Sequence, residues 1–396
     1  MPVPSPFHPR TAKLCTSFRW KDWAGYAAVC AYDVYHEREY FAFRHTAGLI
    51  DVTPLFKYEV TGPDAGAFLS RVMVRDAAKM KRGVVGYGCW CDDAGKVIDD
   101  GTVWRLDETR FRVTSAEPSL AWLARNARGM DVAVEDSTAR IAVLSLQGPT
   151  SREILRRACD APIDALKYFR LTEARLDGFT ATITRTGYSG DLGYEIWVDA
   201  KDAVRLWDVL ADAGGAYGVQ PAGLDAYDMV RIEAGYVMNG VDYYSANHCL
   251  IESRKSTPYE LDLGWTVKLD RDVFNGQAAL RAEKERGPAR RFVGLEVDWD
   301  ETERLFAAQG LPPEIASRAW RDPRPVYDRD GRQVGQATSG TWSPLLKKNL
   351  ALATVRVPAG EVGEELRMEV TVEYVRRSVK ATVRQKPFFD PERKRA

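Results

Sequence analysis

Nothing in the 396 residues approaches the roughly 18 consecutive apolar positions that a bilayer-spanning helix needs. The opening residues, MPVPSPFHPR, lack the hydrophobic core of a secretory signal. These two absences lead us to expect a cytoplasmic protein with no membrane partner. Charge of one sign is not in excess either: lysine plus arginine total 56 and aspartate plus glutamate total 56, so no net field recruits nucleic acid. The six cysteines, at 15, 30, 89, 91, 159 and 249, lack the paired spacing of a zinc site or a small disulfide scaffold. Cys89 and Cys91 are a poor half-site on a strand, and no metal is expected. No glycine-rich dinucleotide fingerprint follows any strand, which excludes a built-in flavin or nicotinamide domain.

What remains is a chain with 45% apolar and 28% charged residues, long enough for about two to three domains and suited to a small-molecule partner. Its eleven tryptophans supply flat walls for flat ligands, although most belong in cores. Residues 1–18, rich in proline, read as a mobile or draped arm without sustained period. A helix is expected over 35–46, stopped by Ala47-Gly48. A strand pair then lies within AGLIDVTPLFKYEVTGPDAGAFL, followed by a helix opened by Asp64. Further helices are expected over 119–130, 149–160, 201–214 and 223–235, with strands between them. The stretch 241–258 is a long loop without periodicity.

Two segments carry candidate chemistry. In RTGYSGDLGYEIWV, residues 185–198, glycines 187 and 190 permit positive φ and close approach of backbone to a ligand. The strand after the turn alternates, so Glu195 leaves on the face opposite Tyr194, Ile196 and Val198. A carboxylate there can accept two parallel N–H bonds from a flat aminopyrimidine edge. The other segment runs from Lys81 to Arg105: a strand through Tyr87 and Trp90, a turn at 92–95, and a returning strand bearing Asp99 and Asp100. Adjacent carboxylates point to opposite faces, and parity alone does not choose between them.

Several strings in one order resemble the folate-dependent aminomethyltransferase superfamily, that of the glycine cleavage T-protein. RTGYSGDLGYEI is similar to its RTGYTGEDGYEI, AGLIDVTPLFKYEVTGPDA to its AGLFDVSHMGKIEVTGPDA, and GLDAYDMVRIEAG to its GLxARDxLRLEAG. The string ELDLGWTVKLDRDVFNGQAAL resembles EAGLGWxVxxxxxFIGKEAL, and QVGQATSGTWSPLLKKNLALATV resembles the terminal-barrel signature VGxxTSGxxSPxLxxxIALAYV. The resemblance covers roughly residues 35 to 390. It implies an α+β fold: a three-lobed ring of two discontinuous α+β domains and a C-terminal β-barrel, with tetrahydrofolate in the central channel. The lobes would be 1–54 with 142–250, 55–141 with 251–288, and 289–396. Carried over by position, Asp100 is the carboxylate beside the folate, Glu195 the aminopyrimidine clamp, and Tyr87 and Tyr188 line the pterin slot. Trp265 matches the family tryptophan, and Thr114 and Ser115 stand where the family has a folate-holding asparagine.

Departures from the pattern set the expected reaction. Tyr227 stands where the family has an arginine, the 241–258 loop is longer than usual, and Tyr32, Trp90 and Trp104 add aromatic surface. They point to methyl transfer from a small methylated donor, specifically O-demethylation of a methoxylated aromatic acid in aromatic-compound catabolism. Tyr32, Trp90, Tyr227 and His248 would meet the donor, and His248, Tyr227 or Tyr32 would assist the leaving phenolate. The alternatives are aminomethyl transfer from a lipoyl carrier protein to give methylenetetrahydrofolate, demethylation of a sulfonium or N-methyl donor, and a folate-binding regulatory protein.

Overall fold

The strand Ile141–Gln147 is buried at every position, and a six-stranded sheet forms around it. The order is Leu171–Leu176, Phe179–Thr184, Gly193–Asp199, Ile141–Gln147, Ala47–Asp51, Val219–Pro221. On one face the apolar sides of the helices Ser151–Ala158 and Ala203–Gly214 close a core with Ile154, Leu206 and Trp207. The opposite face, carrying Trp197, meets the helices Glu37–His45 and Leu224–Glu233 and, from the next sheet, Trp104. This is a computed structural model, and it describes residues 1–396.

The second sheet has the order Val85–Cys91, Val97–Arg105, Arg110–Ser115, Phe56–Thr61, Ala133–Asp136. The helix Ala65–Val72 covers one face with Phe68, Leu69 and Val72. The two sheets touch where the indoles of Trp104 and Trp197 meet edge to face, 4.5 Å between centroids. The third unit is a closed barrel in the order Arg290–Val297, Lys348–Arg356, Gln333–Ser343, Arg324–Tyr327, Glu365–Val372, Val375–Arg384. Closure leaves no free sheet edge in that unit. The fold is thus mixed α+β with a terminal six-stranded barrel, as expected. No helix is long and apolar enough to cross a membrane.

Local differences from the sequence reading have physical causes. Residues 1–18 are no loose arm: Val3–Pro4 pairs in parallel with Tyr26–Ala27, and His8–Leu14 is a helix. Phe7, fully buried, lies 6.3 Å from the Trp207 ring, and Arg10 grips Asp208 through two bonds of 2.6 Å. The strands Ala47–Asp51 and Phe56–Thr61 do not pair with each other; they enter different sheets, and the Pro54 segment carries the chain between them. Asp64 precedes its helix without capping it, because its side chain accepts the Asp131 N–H at 2.8 Å instead. The helices expected over 119–130 and 149–160 are shorter, Leu120–Asn126 and Ser151–Ala158.

Candidate active site

Strand register separates the two adjacent aspartates. Cys89 lies opposite Asp100 and Trp90 opposite Asp99, and cross-strand partners share a face. Trp90 therefore points into the core beneath the Ala65–Val72 helix, and Asp99 points away from solvent with it. Asp99 is fully buried and consumed by structure. It accepts the N–H groups of Ala116 (3.0 Å), Glu117 (2.9 Å) and Asp100 (2.9 Å), and Nδ2 of Asn239 at 2.8 Å. Asp100 is half-buried on the other face. Its Oδ2 accepts the Tyr87 hydroxyl at 2.7 Å, and its Oδ1 accepts the Tyr243 hydroxyl. Burial pushes both carboxyls upward, Asp99 to about 7, while the two phenol donors pull Asp100 back.

The strand behind Asp100 comes unusually close to its neighbour. A Cβ at Gly101 would sit 1.9 Å from the Thr114 carbonyl oxygen, so only glycine fits there. Thr114 spends its hydroxyl on Thr102, at 2.7 Å from Thr102 Oγ1, and Ser115 donates to the Glu117 carbonyl at 2.6 Å. Both are buried; Thr114 ties its strand to that of Asp100, whereas Ser115 closes the turn after its own strand.

Glu195 belongs to the first sheet, on the Trp197 face, where its cross-strand partners are Ser145 and Thr184. Its Oε2 accepts from Thr186 Oγ1 at 2.7 Å and Thr184 Oγ1 at 3.4 Å, while no protein donor meets Oε1. Burial pushes this carboxyl up and the two threonines oppose the shift. The turn before it is built around an amide that the sequence reading overlooked. Gln147 donates to Ser145 Oγ (2.9 Å) and the carbonyls of Thr186 (3.1 Å) and Tyr194 (3.3 Å), and accepts from Ser189 at 2.8 Å. A Cβ at Gly187 or at Gly193 would lie 2.0 Å from Gln147 Oε1. Gly187 thus makes room for the amide rather than adopting positive φ, whereas Gly190 does adopt it, at +75°.

Tyr188 packs among other tyrosines, its ring 5.8 Å from that of Tyr227. Its ring stacks on Tyr236 at 5.5 Å and its hydroxyl donates to the Val237 carbonyl. Burial raises its phenol, opposed by the Arg231 charge and reinforced by that of Asp100. Tyr87 stacks on the exposed Trp265 at 6.1 Å, 25° between planes. Beside them, Asn239 Oδ1 is buried without a partner. Paired flat rings, a carboxylate oxygen with no donor and an unpartnered amide oxygen match the faces and N–H edge of a pterin. The donor set fits the group that the resemblance implies.

The loop 236–243 is held in place by ion pairs from two sides. Asp228 accepts Nε of Arg231 and Nε of Arg321, each at 2.7 Å. Arg231 Nη1 reaches Asp242 Oδ2 at 2.6 Å, and Asp242 Oδ1 accepts the hydroxyls of Thr338 and Ser339 in the barrel. Every member of this network except the half-exposed Arg321 is buried. Removing one partner of a buried pair leaves an uncompensated charge, so such networks fix geometry strongly. Here the geometry fixed is that of Asn239 and Tyr243 against Asp99 and Asp100.

The structure does not bring all the expected donor residues to this wall. Tyr32 is 5% exposed in the core of the first lobe, and Trp90 is 1% exposed in that of the second. His248 lies outside, its side chain 67% exposed and Nε2 3.2 Å from Glu117. Tyr227 does reach the Glu195 neighbourhood, but as packing: it is 6% exposed, lies 5.5 Å from Phe43 and 5.8 Å from Tyr188, and its hydroxyl accepts the Tyr188 N–H at 3.1 Å. Tyr243, which the sequence reading passed over, is the residue on Asp100.

Comparison with known proteins agrees with this layout. The GCVT N-terminal domain matches residues 8–271 and the glycine cleavage T-protein C-terminal barrel domain matches residues 290–390. An aminomethyltransferase of Bacillus subtilis is 34% identical over 359 residues, 89% of this chain and 90% of the relative. That of Symbiobacterium thermophilum is 36% identical over 362 residues, 89% and 88% of the two chains. The crystal structure of glycine cleavage system aminomethyltransferase T from Bartonella henselae superposes with a TM-score of 0.83 at 26% identity, covering 98% of this chain and 99% of that one. These likenesses overturn the expected O-demethylase of methoxylated aromatic acids, since the relatives are aminomethyltransferases along nearly their whole length. The structure removes its premise as well, because Tyr32, Trp90 and His248 form no common donor pocket with Tyr227.

Proposed function

From the premise that this chain belongs to the glycine cleavage T-protein family, tetrahydrofolate-dependent one-carbon transferases, we propose that it is an aminomethyltransferase. Its donor is an aminomethyl group carried on the lipoyl arm of a carrier protein, and its products are methylenetetrahydrofolate, ammonia and the reduced lipoyl arm. Tetrahydrofolate supplies the two nitrogens, N5 and N10, between which the carbon ends.

The observation that supports this reading is Asp100 held between two phenol donors, with Glu195 Oε1 left without a protein donor. Glu195 Oε1 accepts from the aminopyrimidine edge, and Tyr87, Tyr188 and Trp265 set the plane of the ring system. Asp100, kept as a carboxylate by Tyr87 and Tyr243, stabilises positive charge on nitrogen as the amine leaves and the carbon transfers. Most of the acceleration comes from fixing the reacting atoms, which can replace many powers of ten of encounter entropy. Thr114 acts from behind, by holding the Asp100 strand through Thr102, and Ser115 fixes the turn whose Glu117 N–H meets Asp99. Tyr227 shapes the floor of the slot, where its buried hydroxyl fixes the Tyr188 backbone.

The test is direct: incubate the protein with tetrahydrofolate and aminomethyl-loaded lipoyl carrier protein, and follow methylenetetrahydrofolate and ammonia together. Stoichiometric appearance of both is expected. Failure to form either, with a loaded carrier that a known aminomethyltransferase consumes, refutes the assignment.

A further inference from the structure

Outside the wall just described, the barrel carries a cavity of about 370 Å³ that none of the site residues lines. Its roof is the helix Trp299–Ala307 and the stretch 311–323, and its floor is made by barrel strands through Trp342, Asn349 and Glu369. Three indoles dominate it. Trp299 and Trp342 lie 5.0 Å apart with planes at 55°, forming a corner rather than a stack. Trp320 is the third, and it is built in: its N–H and carbonyl exchange bonds of 2.8 and 3.0 Å with Gly340, where a Cβ would lie 2.2 Å from the indole ring. A larger residue at 340 would evict the indole, so this wall is a fixed surface.

The cavity also holds charge of both signs. The Arg324 guanidinium lies 4.0 Å over the Trp320 ring, and no carboxylate stands within ion-pair distance of it. Its burial lowers its pKa, opposed by the charges of Asp322 and Glu314. A stacked, carboxylate-free fork of N–H donors is arranged to take a carboxylate in two bonds. Glu314 and Asp322 border the same space, and Glu369 is held from below by Tyr327 at 3.1 Å and Arg376 at 3.7 Å. A cation among the indole faces would therefore find both π surface and acidic neighbours.

We propose that this cavity is a binding site for a small zwitterion that joins a methylated, quaternary ammonium to a carboxylate, that is, a betaine. The ammonium sits in the Trp299–Trp342 corner and the carboxylate on Arg324. Methylation is the discriminating feature. A primary ammonium keeps three N–H donors that want acceptors or water, whereas a quaternary one offers apolar methyl groups and diffuse charge to aromatic faces. Size agrees, since 370 Å³ falls at the lower end of ligand pockets. The site goes beyond the transfer reaction and does not rest on it.

The experiment is calorimetric titration of the full-length protein with glycine betaine, glycine, tetramethylammonium and acetate as separate probes. Glycine betaine should bind saturably and at least about tenfold tighter than each of the others, and Trp342→Ala and Arg324→Met should each weaken it by about tenfold or more. Thermal melting of the same preparations shows that the variants are folded; if Trp342→Ala is not, Trp342→Phe replaces it with a smaller expected loss. Equal binding of glycine and glycine betaine, affinity unchanged in both variants, or no saturable binding of glycine betaine would each overturn the proposal.

Discussion

Tyr243→Phe is the substitution that tests the central geometry most sharply. It removes one oxygen and with it the donor on Asp100 Oδ1, leaving the Tyr87 hydroxyl at 2.7 Å on Oδ2. The ring stays, so the apolar packing of Tyr243 with Leu261, Leu263 and Phe274 should survive. A hydrogen bond to a charged acceptor is worth about 1.5–3 kcal/mol, and one pKa unit corresponds to about 1.4 kcal/mol. The Asp100 carboxyl, already pushed up by burial, should rise further, by an amount set by the free energy of the lost bond. If the carboxylate is the working form, activity lies on the alkaline side of that pKa. The acid limb of kcat/KM for transfer from the loaded carrier must then move to higher pH by the same amount. Because the effect acts on a protonation state, the rate at high pH should recover toward that of the unmodified protein, while a merely structural loss would lower the whole profile. An acid limb that does not move, or that moves downward, would refute the claim that the phenols hold Asp100 ionised.

Other consequences follow from the same geometry. Asp100→Asn should lower turnover at least about a hundredfold with little change in tetrahydrofolate affinity, since the amide keeps the shape and loses the charge; Asp99→Asn should instead show as a lowered melting temperature, because its carboxylate accepts five donors, the Tyr243 hydroxyl at 3.4 Å among them, that an amide cannot all meet. Silence of Asp100→Asn together with a dead, well-folded Asp99→Asn would reverse the two roles. Glu195→Ala should weaken tetrahydrofolate by more than about tenfold in calorimetry, the worth of a lost charged contact; unchanged affinity removes the clamp. Lys57 is fully buried on the carbonyls of Thr53 (2.6 Å) and Leu55 (2.8 Å), and burial pulls its ammonium down to about 7. Between about 7 and its ordinary value of 10.5 the unfolded chain binds the proton and the folded one does not, so stability should rise with pH across that window. Denaturant unfolding of Lys57→Met should lack that rise, which amounts to a few kcal/mol at most; an unchanged slope would exonerate Lys57.

What the sequence made legible is what periodicity and turn chemistry report. The alternation in YEIWV put Glu195 on the Trp197 face, and the buried IAVLSLQ strand became the centre of its sheet. The choice between Asp99 and Asp100 was not available by the same means, because both faces of that strand are covered: Val97 and Ile98, of opposite parity, are 0% and 2% exposed. Without a solvated face there is no polar alternation to read. Tyr243 was missed for a related reason, since residues 236–243 form neither helix nor strand, and the loop that brings its hydroxyl to Asp100 is anchored at Asp242 by Arg231 and Thr338, side chains that no local periodicity connects to it. The aromatic residues counted toward a donor pocket misled because composition does not say which face a tryptophan takes. Trp90 is turned inward by a register that only the pairing with Asp99 reveals.

The hydroxyls of Thr338 and Ser339 belong to the barrel, yet they end on Asp242, in the loop that presents Tyr243 to Asp100. The barrel is therefore a co-author of catalytic geometry, and the chain is less modular than its three units suggest. A chimera that joins residues 1–288 to the barrel of a relative would preserve every strand and still fail wherever the incoming loop and hydroxyls do not match Asp242. Inheritance of the two parts is coupled: a change at Asp242 confines what the barrel can become, and recombination within this lineage is expected to keep the pair together.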